Sequence, residues 1–472
     1  VTVVRNEKAN RRIPLIIGAI VFLQAFDGNV VLVALPSMAA DLHQPTLSMN
    51  LVIVAYLIGG TIFLPLSGWL ADRFGPRRVL NYALAGFAVM SLLCGLAPSA
   101  TTLFCGRALQ GAAGAALMPV GRILVLRSVD RNQFVAALST LTMPVMMGPV
   151  LGPPVGGLIV ELLNWRAVFL INLPLAVIGL VMVNRFIPES GAQTSSPPDL
   201  VGLLFSALAL GAMTYGMTSM GDVHSGTLSA ICLMVSAISA VLFVAHTRRH
   251  PDPVLDLSLM RFPLTRIVNL GGIFQRLLVS AHPFLIVLLF QVAFNLNTMV
   301  SSLLLSASAA GAIFSRSTFI KVVRVFGFRR FLLGSGLIHS AMIASCALLT
   351  ARTPLPVAFV LLFAIGWLRS YHLVGLASLG YAGLPEEAVG TASMFSSIFQ
   401  QMSNALGVAA AVIAIRLGEM AIGVPGVSRG AIAVAFLVIA GVSLISIIHY
   451  LRVPQDAGKD LIPGRMVAPS EA

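Results

Sequence analysis

Apolar runs of about twenty residues, separated by short polar hinges, fill this chain almost from end to end. A helix needs about 20 apolar residues to cross the hydrocarbon core of a bilayer. Fourteen segments meet that need, at approximately 13–36, 49–69, 79–97, 101–126, 134–160, 167–187, 200–220, 226–246, 267–293, 299–320, 330–350, 355–376, 391–415 and 430–451. Helices are the open-chain way to satisfy backbone polar groups in lipid. The pattern therefore predicts an all-α polytopic membrane protein with fourteen spans.

One hinge occurs twice. Phe74-Gly75-Pro76-Arg77-Arg78-Val79-Leu80 returns 252 residues later as Phe326-Gly327-Phe328-Arg329-Arg330-Phe331-Leu332, again between two apolar runs. A short basic hinge repeated in this way signals a duplicated bundle. Spans 1–6 then correspond to spans 9–14, and spans 7 and 8 are an insert. The expected organisation is a first six-helix bundle over 1–190, two linker helices and a loop over 191–265, a second six-helix bundle over 266–455, and a tail over 456–472. Pro197-Pro198 before the insert, and Pro251, Pro253 and Pro263 after it, have linker composition. Internal repeats of this kind build secondary transporters.

Composition agrees. The 472 residues are 57% hydrophobic and 10% charged, against about 25% charged in a soluble domain. The net charge of +13 has two readings, a nucleic-acid face or a topology signal, and the placement of the charges decides. Of the 30 Lys and Arg, 21 fall in the two termini and alternate loops, with Arg185 and Arg330 at span ends counted with the loops they adjoin. Four lie in the opposite loops (Arg166, Arg352, Arg416, Arg429) and five within spans (Arg107, Arg122, Arg276, Arg316, Arg369). Positive charge gathers on the cytoplasmic side, so both termini are expected there, and no nucleic-acid partner is needed. Asp41–His43, Asp222–His224 and Arg352 are expected outside; Asp72, Arg249 and Arg330 are expected inside. Arg11-Arg12 before an apolar stretch mimics a signal peptide, but the stretch is long and more spans follow, so it is expected to stay as the first helix. Cys94, Cys105, Cys232 and Cys346 form no CxxC pair, and no histidine cluster is counted at metal spacing.

Asp27 is the most informative single residue. Fourteen residues into its span, it lies roughly 21 Å along the helix at about 1.5 Å per residue. A carboxylate at that depth is costly unless paired, protonated or wet, and intramembrane ionisable groups default to function. The competing role is a structural Asp that bonds neighbouring helices. Gln24 shares its face. Arg107 and Gln110 share a face of span 4, extended by Gly111 and Gly114, where small residues permit close helix contact. Arginine does not lose its proton. Arg107 is thus a fixed charge, and protonating Asp27 would free it for other partners. In the hinge, Gly75 suits a tight turn, and Asp72 is placed to cap the next helix or to pair with Arg73, Arg77 or Arg78. Arg276 and Arg369, with His282, His339 and His372, make the C-terminal half cationic or titratable. Gln400, Gln401 and Asn404 add polar groups to span 13, for which interhelical hydrogen bonding is the simplest role.

The Asp72–Arg78 hinge resembles the signature between helices 2 and 3 of the major facilitator superfamily. Gly148-x-x-x-Gly152-Pro153-x-x-Gly156-Gly157 is similar to the superfamily's antiporter motif, and Arg107-x-x-Gln110-Gly111 to the arginine motif of its exporters. Phe26-Asp27 through Val33-Ala34-Leu35-Pro36, and Trp165-Arg166 through Phe169-Leu170-Ile171-Asn172-Leu173-Pro174, resemble motifs of its fourteen-span drug:proton antiporter branch. The second half offers Phe326–Leu332 and Gly390-Thr391-Ala392-Ser393. The chain is also similar to the MdtD-like group of that branch. It departs from the branch pattern at Pro76, where a basic residue usually stands, and at Asn29 and Leu32. The resemblance implies the major facilitator fold and a substrate cavity between the two bundles. It also implies a proton site at Asp27 and Arg107, a gate at Asp72, Arg73, Gly75, Arg77 and Arg78, and an occluding seam at Gly148, Gly152, Pro153, Gly156 and Gly157. Candidate cavity residues are Gln24, Gln110, Arg276, His282, Arg369, Gln400 and Asn404.

The expected function is proton-coupled export of small amphiphilic molecules by alternating access, as in multidrug efflux. Proton-linked uptake or facilitated diffusion of a small organic anion is the alternative on the same fold. A membrane enzyme or receptor is a third class, which lacks any nucleophile–base pair or phosphate loop. No cofactor beyond the proton motive force, no metal and no enzymatic activity is expected. The expected partners are a small-molecule substrate, protons and the lipid bilayer of the inner membrane.

Overall fold

The computed structural model describes residues 7–128, 134–189, 199–219, 226–250, 257–315, 319–380, 382, 384, 386–424 and 426–458. Pro197-Pro198, Asp222–His224, Pro251, Pro253, Arg316 and residues 459–472 lie outside them. Every regular element among the described residues is a helix. The first half contains α1 (Glu7–Asp41), α2 (Asn50–Phe74), α3 (Pro76–Gly95), α4 (Ala100–Gly114), α5 (Leu117–Ser128), α6 (Phe134–Leu162), α7 (Ala167–Leu170) and α8 (Asn172–Phe186). Next come α9 (Leu200–Ser219) and α10 (Gly226–Thr247). The second half contains α11 (Pro263–Arg266), α12 (Gly272–Val287), α13 (Thr298–Phe314), α14 (Phe319–Ser345), α15 (Leu355–Gly380), α16 (Glu386–Ile422), α17 (Arg429–Ser443) and α18 (Ile445–Tyr450).

Thirteen of the expected spans fall on helical stretches long and apolar enough to cross a membrane. Among the described residues, the tenth falls on α13, a shorter apolar helix of 17 residues. Several spans are also less regular than apolar length suggests. The fourth breaks between α4 and α5, the sixth between α7 and α8, and the last between α17 and α18. The ninth carries π turns at Ile267–Gly271 and Leu288–Ala293, on either side of α12.

Contacts group the chain into two compact units. The first comprises Val1–Met213, Met234–Val254 and Asn297–Ser306; the second comprises Thr214–Leu233, Leu255–Leu296 and Ala307–Ala472. The first has a core of Ile17, Leu80, Leu84, Phe87, Leu117 and Leu141. The second is centred on Val268, Leu332, Leu376, Leu379 and Tyr450. Large apolar side chains are also exposed, among them Leu200, Leu204, Ile231, Ile238 and Val241 on α9 and α10. A water-facing surface rarely carries so much contiguous apolar area, whereas lipid accepts it.

The repeat seen in the sequence is a repeat of backbone geometry. Gly75 and Gly327 have φ of 87° and 73°, in the left-handed region that glycine enters at little cost. Pro76 follows as the first residue of α3, where its missing N–H is not needed. The offset recurs at a pair of contacts that hydropathy does not reveal. A Cβ on Gly59 of α2 would collide with the Ala108 carbonyl of α4, and one on Gly111 with the Tyr56 carbonyl. Gly311 stands 252 residues after Gly59. A Cβ there would strike the Phe363 carbonyl of α15, and one on Gly366 the Ser308 carbonyl of α13. Each unit thus presses two helices together backbone to backbone through small residues.

At one end of α1, Asp41 accepts from Arg166 Nη1 at 2.6 Å and from Trp165 Nε1 at 3.0 Å. This contact places Asp41 and Arg166 at the same end of the first unit. Single-cysteine labelling checks the topology. Positions 41 and 352 are expected to react from outside, and positions 72, 249 and 330 from inside only. Labelling of 330 from outside would reject the charge-based orientation.

Candidate functional site

Asp27 sits midway along α1, 1% exposed. Four other helices converge on it. From α4, Arg107 Nη1 donates to Asp27 Oδ2 at 2.7 Å and to Gln110 Oε1 at 2.7 Å. The Arg107 Nε donates to the Val52 carbonyl of α2 at 3.1 Å. From α8, Asn172 Nδ2 donates to Asp27 Oδ1 at 2.6 Å and to Ser91 Oγ of α3 at 3.0 Å. Gln110 Nε2 donates to Ser91 Oγ at 2.6 Å and to Asp27 Oδ1 at 3.4 Å. The guanidinium lies over the Tyr56 ring, 4.2 Å from its centroid. Arg107, Gln110, Ser91 and Asn172 are as buried as Asp27.

A buried ion pair is tolerated only when further hydrogen bonds satisfy its remaining polar atoms. Here the carboxylate receives three donors, and the guanidinium has a carbonyl, an amide oxygen and an aromatic face. The chemistry this permits is specific. Neutralising Asp27 removes the charge partner of Arg107 but leaves the Val52 carbonyl, Gln110 Oε1 and Tyr56 in reach. The charge on Asp27 thus bears on contacts shared by five helices.

Asp27, Arg107 and Gln110, the candidates of spans 1 and 4, come together in the structure. Gln24 is half-buried nearby: both its amide and the Tyr56 hydroxyl border Gly114 of α4. Ser91 and Tyr56 have no counterpart among the sequence candidates, and Asn172 stands there only inside a longer run. Each is a single neutral polar residue in an apolar helix, and such residues carry no periodic signal.

The glycines of α6 lie along the same stretch of α1. A Cβ on Gly148 would stand 2.7 Å from the Ala25 Cβ, one on Gly152 2.7 Å from the Asn29 Cβ, and one on Gly156 2.9 Å from Val30 Cγ1. Gly157 faces away from them, toward Ser302 of α13. Pro153 is one of four prolines inside α6. The seam thus flanks Asp27 on both sides along the helix. In the hinge, Arg77 Nη2 donates to the Asn184 carbonyl of α8 at 2.8 Å, and Arg78 pairs with Glu189 at 3.6 Å. Arg73 is exposed and Asp72 half-buried.

The second unit holds a buried polar network of different composition. Gln275 Nε2 donates to Ser340 Oγ at 3.2 Å, and Ser340 meets Ser443 at 2.7 Å. His339 Nδ1 lies 3.4 Å from Gln275 Oε1. His372 is bracketed by Ser335 at 2.9 Å and the Tyr450 hydroxyl at 3.0 Å. Arg276 and His282 are buried on α12, and Arg369 is half-buried on α15. Asn404 of α16 accepts from Ser280 of α12 at 2.8 Å, so it ties two helices together; Gln400 is exposed. Among the described residues, the buried carboxylates are Asp27 and Asp199, both in the first unit.

A fold of repeated helices, with a basic hinge copied at fixed offset and a buried carboxylate–arginine pair, defines a class of membrane transporter. The Major Facilitator Superfamily profile matches residues 17–408, and the chain belongs to that superfamily. It is 30% identical over 451 residues to a protein of Enterobacter sp. (strain 638) named for multidrug resistance, MdtD, covering 94% of this chain and 95% of the relative. The MdtD of Escherichia coli O6:H1 is 32% identical over 453 residues, with the same coverage. Among solved structures, a peptide transporter POT in complex with sulfate superposes with a TM-score of 0.70 at 15% identity, covering 96% of this chain and 95% of that one. A D-xylose–proton symporter does so with a TM-score of 0.66 at 15% identity, covering 96% and 98%. At these identities the solved structures support the fold alone.

Proposed function

We propose that this chain exports small amphiphilic molecules in exchange for protons, by alternating access. The observation that carries the reading is the buried Asp27–Arg107 pair with its shared donors. Asp27 takes up and releases the proton. Arg107 shifts between the carboxylate and its neutral acceptors as the charge comes and goes. Similarity to proteins named for multidrug resistance supports drug-like cargo and outward direction.

In this reading residues 1–190 and 266–455 act as the two bundles, both termini lie in the cytoplasm, and the protein sits in the inner membrane. The hinge at Asp72, Arg73, Gly75, Arg77 and Arg78 gates the cytoplasmic side, and the Gly148–Gly157 seam lets α6 slide on α1. Gln24, Gln110, Arg276, His282, Arg369, Gln400 and Asn404 remain the candidate contacts for cargo. Arg276 and Arg369, with buried acids confined to the first unit among the described residues, tilt the cargo toward anionic or neutral amphiphiles. A guanidinium forks onto a carboxylate with two parallel hydrogen bonds.

Uptake into inverted membrane vesicles tests both points. Accumulation is expected only with the vesicle interior acidified, and an uncoupler should abolish it. Arg276→Gln and Arg369→Gln should slow matched anionic compounds more than cationic ones. Accumulation indifferent to the pH gradient would defeat proton exchange. Equal loss of both charge classes would defeat the anion preference alone.

A further inference from the structure

We propose that Asp199, His246 and His250 form a binding site for a divalent transition-metal ion at one end of the α9–α10 pair. No step of the transport reading uses these residues. The sequence pattern counted no histidine cluster at metal spacing, yet His246 and His250 are four residues apart. The chain keeps helical register between them, because the His250 N–H donates to the His246 carbonyl at 3.0 Å. Residues four apart on a helix share a face. Their rings are 5.1 Å apart between centroids. The third member arrives from 47 residues earlier in the chain, with Asp199 Oδ1 standing 2.7 Å from His246 Nε2. Nitrogen and oxygen ligand atoms from all three residues lie within 4.8 Å of one another.

The donor set selects the kind of ion. Two imidazoles and a carboxylate suit zinc and its first-row neighbours, whereas calcium and magnesium prefer all-oxygen shells. Around a zinc ion with bonds of about 2.0–2.2 Å, ligand atoms stand roughly 3–3.5 Å apart. Asp199 and His246 are already at or inside that separation. His246 and His250 are both half-buried, so their rings have room to close the remaining distance. Asp199 is 6% exposed and holds the start of α9 by accepting the Gly202 N–H at 2.7 Å. The carboxylate is therefore fixed before any ion arrives. Exposed Arg248 and Arg249 lie between the two histidines in sequence but not on their shared face. A bound ion would join the start of α9 to the end of α10.

The test uses the full chain, purified with a tag free of histidine, and titrated with zinc by calorimetry and with cobalt by visible absorption. Wild type is expected to bind one equivalent. His246→Gln and His250→Gln should each weaken binding at least about tenfold, the least that disturbing a metal's surroundings costs. Asp199→Asn separates coordination from capping: asparagine caps helices as well as aspartate does, so the fold should persist while affinity drops by a similar factor. Cys105→Ser and Cys232→Ser should change nothing. Absence of stoichiometric binding in wild type would overturn the site. So would binding unchanged in all three ligand variants, or binding lost only with the cysteines. Transport is not part of the readout, so failure of the export reading leaves this result unaffected.

Discussion

Replacing Asp27 with asparagine is expected to reduce proton-driven transport to background. Asparagine keeps the volume of the side chain and can still accept from Asn172 and Gln110, which hold Asp27 Oδ1 at 2.6 and 3.4 Å. It cannot bind or release a proton. Stripping one partner from a buried ion pair costs about 3–5 kcal/mol. Asparagine should cost less, because Arg107 keeps the Val52 carbonyl, Gln110 and the Tyr56 face. Yield and membrane insertion should therefore survive. Because the variant resembles the protonated form, exchange of labelled for unlabelled substrate without a gradient should also survive. That residual exchange distinguishes lost coupling from a damaged fold. Wild-type proton-driven rates in Asp27→Asn would remove the residue from the mechanism.

Gly111→Val should damage both stability and transport. Gly111 touches the Tyr56 carbonyl, and on the same seam Gly59 meets the Ala108 carbonyl, so any side chain pushes α2 and α4 apart. Ordinary overpacking costs about 1–3 kcal/mol; a clash against backbone is expected at or above the top of that range. The function suffers for a separate reason. α2 supplies the carbonyl and the ring that hold Arg107, and α4 supplies Arg107 itself. Separating the helices dismantles the environment of the ion pair. The thermal midpoint in detergent should fall sharply for Gly111→Val and less for Gly111→Ala. Gly441→Ala, whose new methyl meets nothing within 4 Å, is the control and should leave the midpoint level or slightly raised, since alanine favours helix over glycine. A Gly111→Val protein as stable as the control would show that the close approach is dispensable.

Apolar length and buried charge are legible in the sequence; helix breaks and neutral polar partners are not. Span positions follow from apolar length, which lipid enforces directly, so α3, α9, α10 and α15 fall close to their expected places. Breaks such as the one between α4 and α5 escape because hydropathy runs straight through them. Asp27 stood out because an acid in an apolar span is expensive, and Arg107 because its charge cannot be removed. Ser91, Tyr56 and Asn172 cost little to bury once hydrogen-bonded or stacked, so nothing in their surroundings marks them. The same holds for the network of Gln275, Ser340 and Ser443 in the second unit. Gly59 and Gly311 belong to a third category. Their 252-residue spacing was present in the sequence, but glycine is common in membrane helices, and only the carbonyls they face reveal the purpose. Asp199 was hidden by distance along the chain: its two histidines lie beyond α9 and most of α10.

In the proposed cycle, transport moves protons through Asp27. Purified protein in liposomes loaded with a pH-sensitive dye, given a substrate gradient and no initial pH gradient, tests it most directly. Proton flux opposite in direction to substrate flux is expected in the wild type, and substrate flux without any accompanying pH change in Asp27→Asn. Proton flux in Asp27→Asn equal to that of the wild type, or substrate movement in the wild type with no pH change at all, would contradict it.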